Sequence, residues 1–420
     1  MMVTVTQAVS TLRDVCAEPY GIWLDSSMAG APMASRSFWA AQPTAVLRSR
    51  GRHLEVERRG ATERYEADPF EALRELLAEH RYPAGAAAGY LGYGLKRHIE
   101  QLPDTVDDDL GLPECHLAFY ERLHEVDPLP PVPGLPPVRG RRFPDLRSTF
   151  TRRAYEAAVR RALAYIRAGD IYQVNLSQRF EVPCPEDPFD VYLRLRTLSP
   201  APFAAFLRFP DSAVLSSSPE RFLRYTPEDS RIETRPIKGT RPRGATPEED
   251  EALRRELLAS EKDRAENVMI VDLERNDLGR VAEIGSVRVA GLFEAETYSS
   301  VHHLVSTVEA RLAEGRDAVD LLRAAFPGGS ITGAPKIRSM QIIDELEPVA
   351  RGVYTGSIGF IRPNGEMDLN IAIRTVEVRD AQAYFSVGGG IVAVSDPAAE
   401  YQETLVKGAA MAQALVGDGR

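Results

Sequence analysis

The 420-residue chain carries 51 Lys and Arg against 61 Asp and Glu, a formal charge of −10, and 44% of it is apolar. That composition describes a folded globular protein of two or three domains or one two-lobed unit, and its acidic balance excludes an electrostatic footprint for nucleic acid or an anionic membrane. No apolar run approaches the ~18 residues that span a bilayer, residues 1–12 lack the basic-then-apolar order of a signal peptide, and Cys16, Cys115 and Cys184 have no paired spacing, so a reducing cytoplasm without disulfides or structural zinc is expected.

In chain order, residues 69–80 read as a short helix, and residues 85–93 (GAAAGYLGY) as a buried strand with close backbone approach. Residues 127–140 (DPLPPVPGLPPVRG) are too rich in proline for helix or central strand, which predicts an extended connector. The boundary drawn there separates an N-terminal region, 1–127, from a connector, 128–143, and a second region, 150–415. Residues 151–168 form a helix whose Tyr155, Val159, Ala162 and Ile166 recur at helical spacing, with Gly169 suited to the C′ position. A capping box opens the next helix, with Thr246 at N-cap, Pro247 at N1 and Glu249 at N3, and this helix is expected to run, with or without a kink, to about Glu274. Strands are expected at 286–293, 357–361, 371–378 and 383–387, and a last helix from Asp396-Pro397 to about Leu415. Strands and helices that do not strictly alternate indicate a mixed α+β fold.

Several residue patterns carry chemistry. Lys238 lies between a Pro turn and a Gly turn in Arg235-Pro236-Ile237-Lys238-Gly239-Thr240, with a candidate acid, Glu220, upstream. An amine that is held and desolvated can lose its proton near neutral pH and act as a nucleophile. Asp263 and Glu266 share one helix face, and Glu400, Glu403 and Lys407 share another. Carboxylates from two helices can make a site for a hard cation such as Mg²⁺, or can be solvated faces; Asn267, Ile270 and Leu273 on the Glu266 side favour partial burial. PGGSITGAPK at 327–336 lacks the Lys-Ser/Thr step of a phosphate loop; a glycine-rich turn entering a helix is either an anion site or a plain helix-entry turn. Gly388-Gly389-Gly390 offers a second row of open backbone N–H groups. Arg374, read as a strand residue, either grips a carboxylate or makes an ordinary salt bridge. His302-His303 is either a base or orienting donor, or structural.

Seven ordered runs resemble the chorismate-utilising enzymes: AGDIYQVNLSQRF (168–180), SPERF (218–222), PIKGT (236–240), KDRAENVMIVDLERNDLGRV (262–281), VHHLVST (301–307), FPGGSITGAPK (326–336) and EYQET (400–404). The resemblance covers about residues 155–411, and GYLGYGLKRHIEQLP (89–103) extends it more weakly. It implies an α+β fold, a large two-lobed αββα sandwich of the anthranilate synthase type with the active site between two sheets. The proline run would then divide two parts of one interwoven structure.

Two positions discriminate within the family. Water-adding members carry a lysine base where this chain has Gln173, and anthranilate synthases usually carry alanine where it has Lys238. The pair implies amination of chorismate at C4 to 4-amino-4-deoxychorismate, toward p-aminobenzoate and folate. Amination at C2 and a silent chorismate-binding homologue are the alternatives.

The implied mechanism places Mg²⁺ on Glu266 and Glu403, with Asp263 and Glu400 as outer or alternate ligands. Lys238 attacks C2, Glu220 protonates the departing C4 hydroxyl, and ammonia then attacks C4 and expels the lysine. Arg374, Lys407, Tyr354, Gly329, Gly389 and Gly390 bind the substrate, while His303 and Thr332 position the ring and the leaving hydroxyl. None of the three cysteines sits in a nucleophile elbow, so a separate glutaminase subunit is implied, and no lyase is expected after the last helix. Some family members hold tryptophan around a Leu-Leu-Glu-Ser-like run; here it reads Leu24-Asp25-Ser26-Ser27, followed by Arg36 and Phe38, without the second Leu and the Glu.

Overall fold

Two large antiparallel sheets pack face to face in the computed structural model, which describes residues 5–28, 36–103, 105–130, 146–298 and 301–416. The first has ten described strands, in the order Gly333–Ala334, Gln173–Pro183, Gln382–Ile391, Thr375–Arg379, Ser212–Ser218, Phe203–Arg208, Ile22–Asp25, Ser37–Ala40 and His124–Val126, with Arg147–Ser148 beside Gln173–Pro183. The second has twelve: Ile237–Pro242, Val301–Arg311, Arg231–Arg235, Arg221–Thr226, Met367–Asn370, Ser357–Ile361, Ala86–Leu91, Cys115–Tyr120, Ala45–Arg50, His53–Arg58 and Ala61–Glu66, with Arg288–Thr297 beside Val301–Arg311. Both sheets take strands from either side of the proline-rich run, most of which (131–140) lies outside the described residues.

Three apolar layers make this an αββα sandwich. Between the sheets, Ile22, Phe38, Leu207 and Val214 meet Tyr90, Tyr120, Ile358 and Phe360. The small residues of Ala86–Leu91 allow this strand to be buried along its whole length, and a Cβ on Gly89 (φ 150°) would come within 2.1 Å of the His116 carbonyl oxygen. Outside the ten-stranded sheet, Leu12, Phe189, Tyr192 and Leu415 from the helices Val5–Ala17, Pro188–Leu198 and Pro397–Val416 cover Trp23, Phe206 and Leu215. Outside the other sheet, Phe70, Leu73 and Leu76 of Pro69–Glu79 and Leu321 and Leu322 of Ala318–Ala325 cover Leu47, Val56 and Leu117. Among the described residues no helix is long and apolar enough to cross a membrane, and no disulfide joins the three buried cysteines.

Local rules account for most boundaries. Asp68 caps Pro69–Glu79 by accepting from the Phe70 and Glu71 amides, and Gly169, at φ 83°, closes Arg152–Ala168. Two expectations are corrected. The single helix expected from Thr246 to about Glu274 is two helices, Pro247–Ala259 and Glu261–Gly279. Ser260 breaks it by adopting extended backbone, and its hydroxyl then accepts from the Asp263 amide as the second N-cap. The strand expected over 371–378 starts only at Thr375, because Arg374 takes a left-handed turn, φ 51°. Arg374 therefore leaves the sheet, in a conformation bulky residues adopt at a cost.

One buried ion pair ties the N-terminal strand to the second region. Arg196 Nε lies 2.7 Å from Asp25 Oδ2, both side chains are fully buried, and Tyr192 donates to the same carboxylate at 2.9 Å. Breaking such a pair strands a charge, so Asp25→Ala is expected to cost roughly 3–5 kcal/mol, read as a fall in the urea midpoint.

Candidate active site

The loop 326–336 joins the two sheets at one end. Its Gly333–Ala334 pairs with Gln173 and Val174 of the ten-stranded sheet, while the Ser330 carbonyl accepts a hydrogen bond from Lys238 Nζ, 2.8 Å, at the edge of the other. Lys238 lies on Ile237–Pro242, whose register against Val301–Arg311 shifts between Ile237 and Thr240. Gly239 takes φ 86° in that bulge, and a Cβ there would meet the Asp263 carboxyl carbon and Leu257 Cδ1 at 2.9 Å. Glycine thus both re-aims the lysine and lets the helix Glu261–Gly279 lie against the strand.

Glu220 sits in the tight Ser218-Pro219-Glu220 turn between two strands. Its amide donates to Ser218 Oγ at 3.3 Å and its carbonyl accepts from the Ile371 amide at 3.0 Å, which fixes the buried side chain. Burial raises its carboxyl above the usual range, against the Ser330 hydroxyl and the charges of Lys238 and Lys407. Burial also lowers the Lys238 amine, against the attraction of Glu220 and Glu266. The two shifts run in opposite directions, each toward the uncharged form, which suits a carboxyl that gives a proton beside an amine that attacks.

Arg374 faces this pair. Its guanidinium makes a long 3.4 Å contact with Ser199 Oγ and no ion pair among the described residues, and burial lowers its proton affinity despite Glu220. A buried cation without its own counter-ion suits a substrate carboxylate. His303 is buried with Nδ1 2.8 Å from Thr240 Oγ1, and burial with the Arg374 charge pushes it down to about 3. It is a neutral hydrogen-bonding group at neutral pH. His302 points to Asp250 (2.9 Å) and Thr297 (2.9 Å) and is structural. Thr332 spends its hydroxyl proton on the Gly328 and Gly329 carbonyls, 3.0 and 3.3 Å. Gly329 lies against Leu273, where a Cβ would come within 2.9 Å. Tyr354 is buried, with its amide directed at the Glu377 carboxylate, 3.3 Å.

Helices Glu261–Gly279 and Pro397–Val416 bring the four carboxylates to the same end. Glu403 is paired with Lys407 at 2.7 Å, Glu400 accepts from Ser395 at 2.6 Å, and Asp263 pairs with Arg241 at 3.2 Å. A Cβ on Gly389 would lie 3.2 Å from Glu400 Oε2 and 3.4 Å from Glu403 Oε1, so this strand passes directly under both. Burial, with repulsion from Asp263 and Glu403, raises Glu266 despite Lys238 and Lys262. Among the described residues no three acidic, His or Cys groups form a complete metal cage. Mg²⁺ needs none, since it takes one or two carboxylates with water and substrate. Glu266 and Glu403, hard oxygen donors in mutual repulsion, fit that requirement, with Glu403 paired to Lys407, as Asp263 is to Arg241 and Glu400 to Ser395.

Gly388, Gly389 and Gly390 pair with 175–177 on one edge, and the strand on their other side ends its pairing at Phe385. Gln173 is fully buried, and neither its amide oxygen nor its nitrogen has a hydrogen-bond partner in the structure. A Cβ on Gly390 would lie 2.5 Å from Gln173 Nε2, so that glycine makes room for the amide. Two residues escaped the sequence reading. Ser330 supplies the carbonyl that holds Lys238, and Glu274, buried on the same helix as Glu266, lies within electrostatic reach of Glu220 and Lys238. A carboxylate among apolar neighbours at helical spacing was the available signal for Glu274. A separate cavity between the sheets is lined by Leu24, Ser26, Arg36, Phe38, Arg221 and Asp368; the Asp25 carboxylate at its margin is taken by Arg196.

A model of the chorismate binding enzymes matches residues 24–413. The chain is 43% identical to aminodeoxychorismate synthase component 1 of Salmonella typhimurium, over 97% of this chain and 98% of that one. It is 40% identical to anthranilate synthase component 1 of Cereibacter sphaeroides, over 94% and 89%. The crystal structure of anthranilate synthase component I from Streptococcus pneumoniae superposes with a TM-score of 0.79 at 32% identity, covering 92% of this chain and 93% of that one.

Proposed function

The chain belongs to the chorismate binding enzyme family, and we propose that it aminates chorismate at C4, giving 4-amino-4-deoxychorismate, with ammonia delivered by a separate glutaminase subunit. The observation that carries this reading is the lysine at 238, held by the Ser330 carbonyl and facing the buried Glu220. The Lys238 amine attacks C2, both ring double bonds shift (C1=C2 and C5=C6 become C1=C6 and C4=C5), and the C4–O bond breaks as Glu220 transfers its proton to the departing oxygen, releasing water. Ammonia then attacks C4, both double bonds shift back, and the C2–N bond breaks with its electron pair returning to Lys238. Two allylic displacements thus place nitrogen where the hydroxyl stood.

Arg374 and Lys407 supply positive charge for the substrate's carboxylates, and neutral His303 offers a hydrogen bond beside the ring. Glu266 and Glu403 would hold Mg²⁺, which when bound supplies charge for the ring carboxylate in an otherwise acidic protein. Gln173 argues against addition of water, because a neutral amide cannot act as a general base near neutral pH. The need for a partner rests on the cysteines: burial raises the Cys16 and Cys115 thiols, away from the thiolate that a glutaminase nucleophile requires. The naming of the relatives as component 1 supports a second subunit.

The test is product analysis with chorismate, Mg²⁺ and ammonium salt. A product aminated at C4 is expected, with neither isochorismate nor salicylate; fluorescent anthranilate as the main product would replace this reading with amination at C2. Purified alone, the chain is expected to use ammonium but not glutamine, and to gain glutamine use on mixing with a glutaminase subunit. Glutamine-dependent amination by the chain alone, free of contaminating glutaminase, would refute the partner.

A further inference from the structure

Polar side chains along one face of Gln173–Pro183 are matched at one end and unmatched at the other. Ser177 Oγ donates to Glu347 Oε1 at 2.8 Å, and Arg179 Nη1 donates to Asp109 Oδ1 at 2.9 Å. Gln173 and Asn175 share that face at the alternate spacing of a strand. Gln173 is fully buried and Asn175 is 7% exposed. Yet among the described residues neither amide atom of Gln173, nor Asn175 Oδ1, has a hydrogen-bond partner. The strand can satisfy a buried amide: Gln178, on its other face, donates to Thr404 Oγ1 and accepts from Ser148 Oγ, both at 2.6 Å. Buried polar groups are nearly always hydrogen-bonded, so three unmatched atoms on neighbouring side chains point to a ligand.

Glycines on the adjacent strand make room for both amides. A Cβ on Gly390 would stand 2.5 Å from Gln173 Nε2, and one on Gly388 3.0 Å from Asn175 Oδ1. The loop 326–336 ties the pair to Lys238. Gln173 pairs with Ala334, the Asn175 amide donates to the Thr332 carbonyl at 2.8 Å, and Ser330, two residues earlier, accepts from Lys238 Nζ at 2.8 Å. Arg351 fixes this corner, donating to the Asn175 carbonyl at 2.7 Å and to the Ile331 carbonyl at 3.1 Å.

Resting on the reading of ammonia as the nucleophile that replaces the hydroxyl, we propose that the Gln173 and Asn175 amides form the ammonia site, their oxygens accepting two N–H bonds and leaving the lone pair free to attack the ring. Same-face neighbours on a strand stand about 7 Å apart at Cα, within reach of one small molecule making two hydrogen bonds of about 2.9 Å. Chorismate's carboxylates only accept, and its C4 hydroxyl offers a single O–H, whereas ammonia carries three N–H groups. An amide at 173 suffices because no proton has to be removed. Ammonia enters as NH₃, the C4–N bond forms as the C2–N bond breaks, Lys238 departs as a neutral amine, and the product keeps all three N–H bonds as an ammonium.

The experiment varies free ammonia at saturating chorismate and Mg²⁺, with the chain alone, for wild type, Gln173→Met and Asn175→Leu, and follows chorismate-derived mass on Lys238 in quenched samples lacking ammonia. Both substitutions keep the size of the side chain and remove its hydrogen bonds. In each, the KM for ammonia is expected to rise by about tenfold or more, while the KM for chorismate stays within about twofold and the Lys238 adduct forms to the wild-type extent. An unchanged KM for ammonia in a variant that still forms the adduct overturns the proposal. Loss of the adduct from both variants also overturns it, because the amides would then serve chorismate or the fold. Anthranilate from wild type refutes amination at C4 while the ammonia kinetics are read on that product, so the two readings fail separately.

Discussion

Lys238→Ala is expected to lower C4 amination by at least about 10³-fold, because on the proposed route the covalent path to C4 begins at this amine. The structure offers no substitute. Lys407 is half-exposed and paired with Glu403, and Lys336 is bound by Asp277 and two carbonyls. The effect should fall on the chemistry more than on binding, since Arg374 remains to hold a substrate carboxylate. Some direct amination at C2 is expected to survive, as ammonia can still reach the ring while Glu220 protonates the leaving hydroxyl. Lys238→Arg should not rescue, because a guanidinium stays protonated. Glu220→Gln is expected to lose roughly 10²–10⁴-fold, the usual scale for a general acid. Mass spectrometry of the quenched wild type should find chorismate-derived mass on Lys238. Wild-type rates of C4 product from Lys238→Ala would remove the nucleophile assignment.

Removing Mg²⁺ with excess EDTA is expected to abolish activity, and Glu266→Gln or Glu403→Gln to lower it by roughly 10²-fold or more, the several kcal/mol that a cation contributes to an anionic site. The net charge of −10 makes this demand acute, since chorismate carries two carboxylates into a negative field. A second readout is independent of turnover. Mg²⁺ should raise the melting temperature of wild type by mass action, and this shift should shrink in both variants. Without metal, Glu403→Gln should not destabilise through Glu266, because the two carboxylates repel each other. Full activity in EDTA would refute the metal requirement.

The sequence alone was sufficient for the residues whose structure is decided within a few neighbours. Thr246 caps through the Glu249 amide at 3.2 Å, Gly169 closes its helix in the left-handed region, and Ser357–Ile361 has the expected bounds. Short-range sterics and hydrogen bonds settle such features, so they can be read without the fold. The ordered motifs likewise supplied the family and the αββα class, and they named Lys238, Glu220 and the four carboxylates, which the fold brings near one another. Ser260 shows the limit of local reading. A serine is tolerated within a helix, and here its extended backbone ends one helix while its hydroxyl caps the next.

What only the tertiary structure decided is how groups far apart in the chain change one another's chemistry. His302 and His303 are neighbours in sequence, yet one is held by Asp250 and Thr297 while the other is buried beside Arg374 and kept neutral. Arg374 reads as a strand residue in the sequence, and a left-handed turn directs it toward Glu220 and His303, with no ion pair among the described residues. Glu274 was one acidic residue in a helical run until Thr234, Gly329 and Glu220 closed around it. Desolvation and Coulomb coupling depend on the distances that folding sets between separate elements. Residue type and spacing therefore identify which groups can do the chemistry, and packing decides which of them carries a proton.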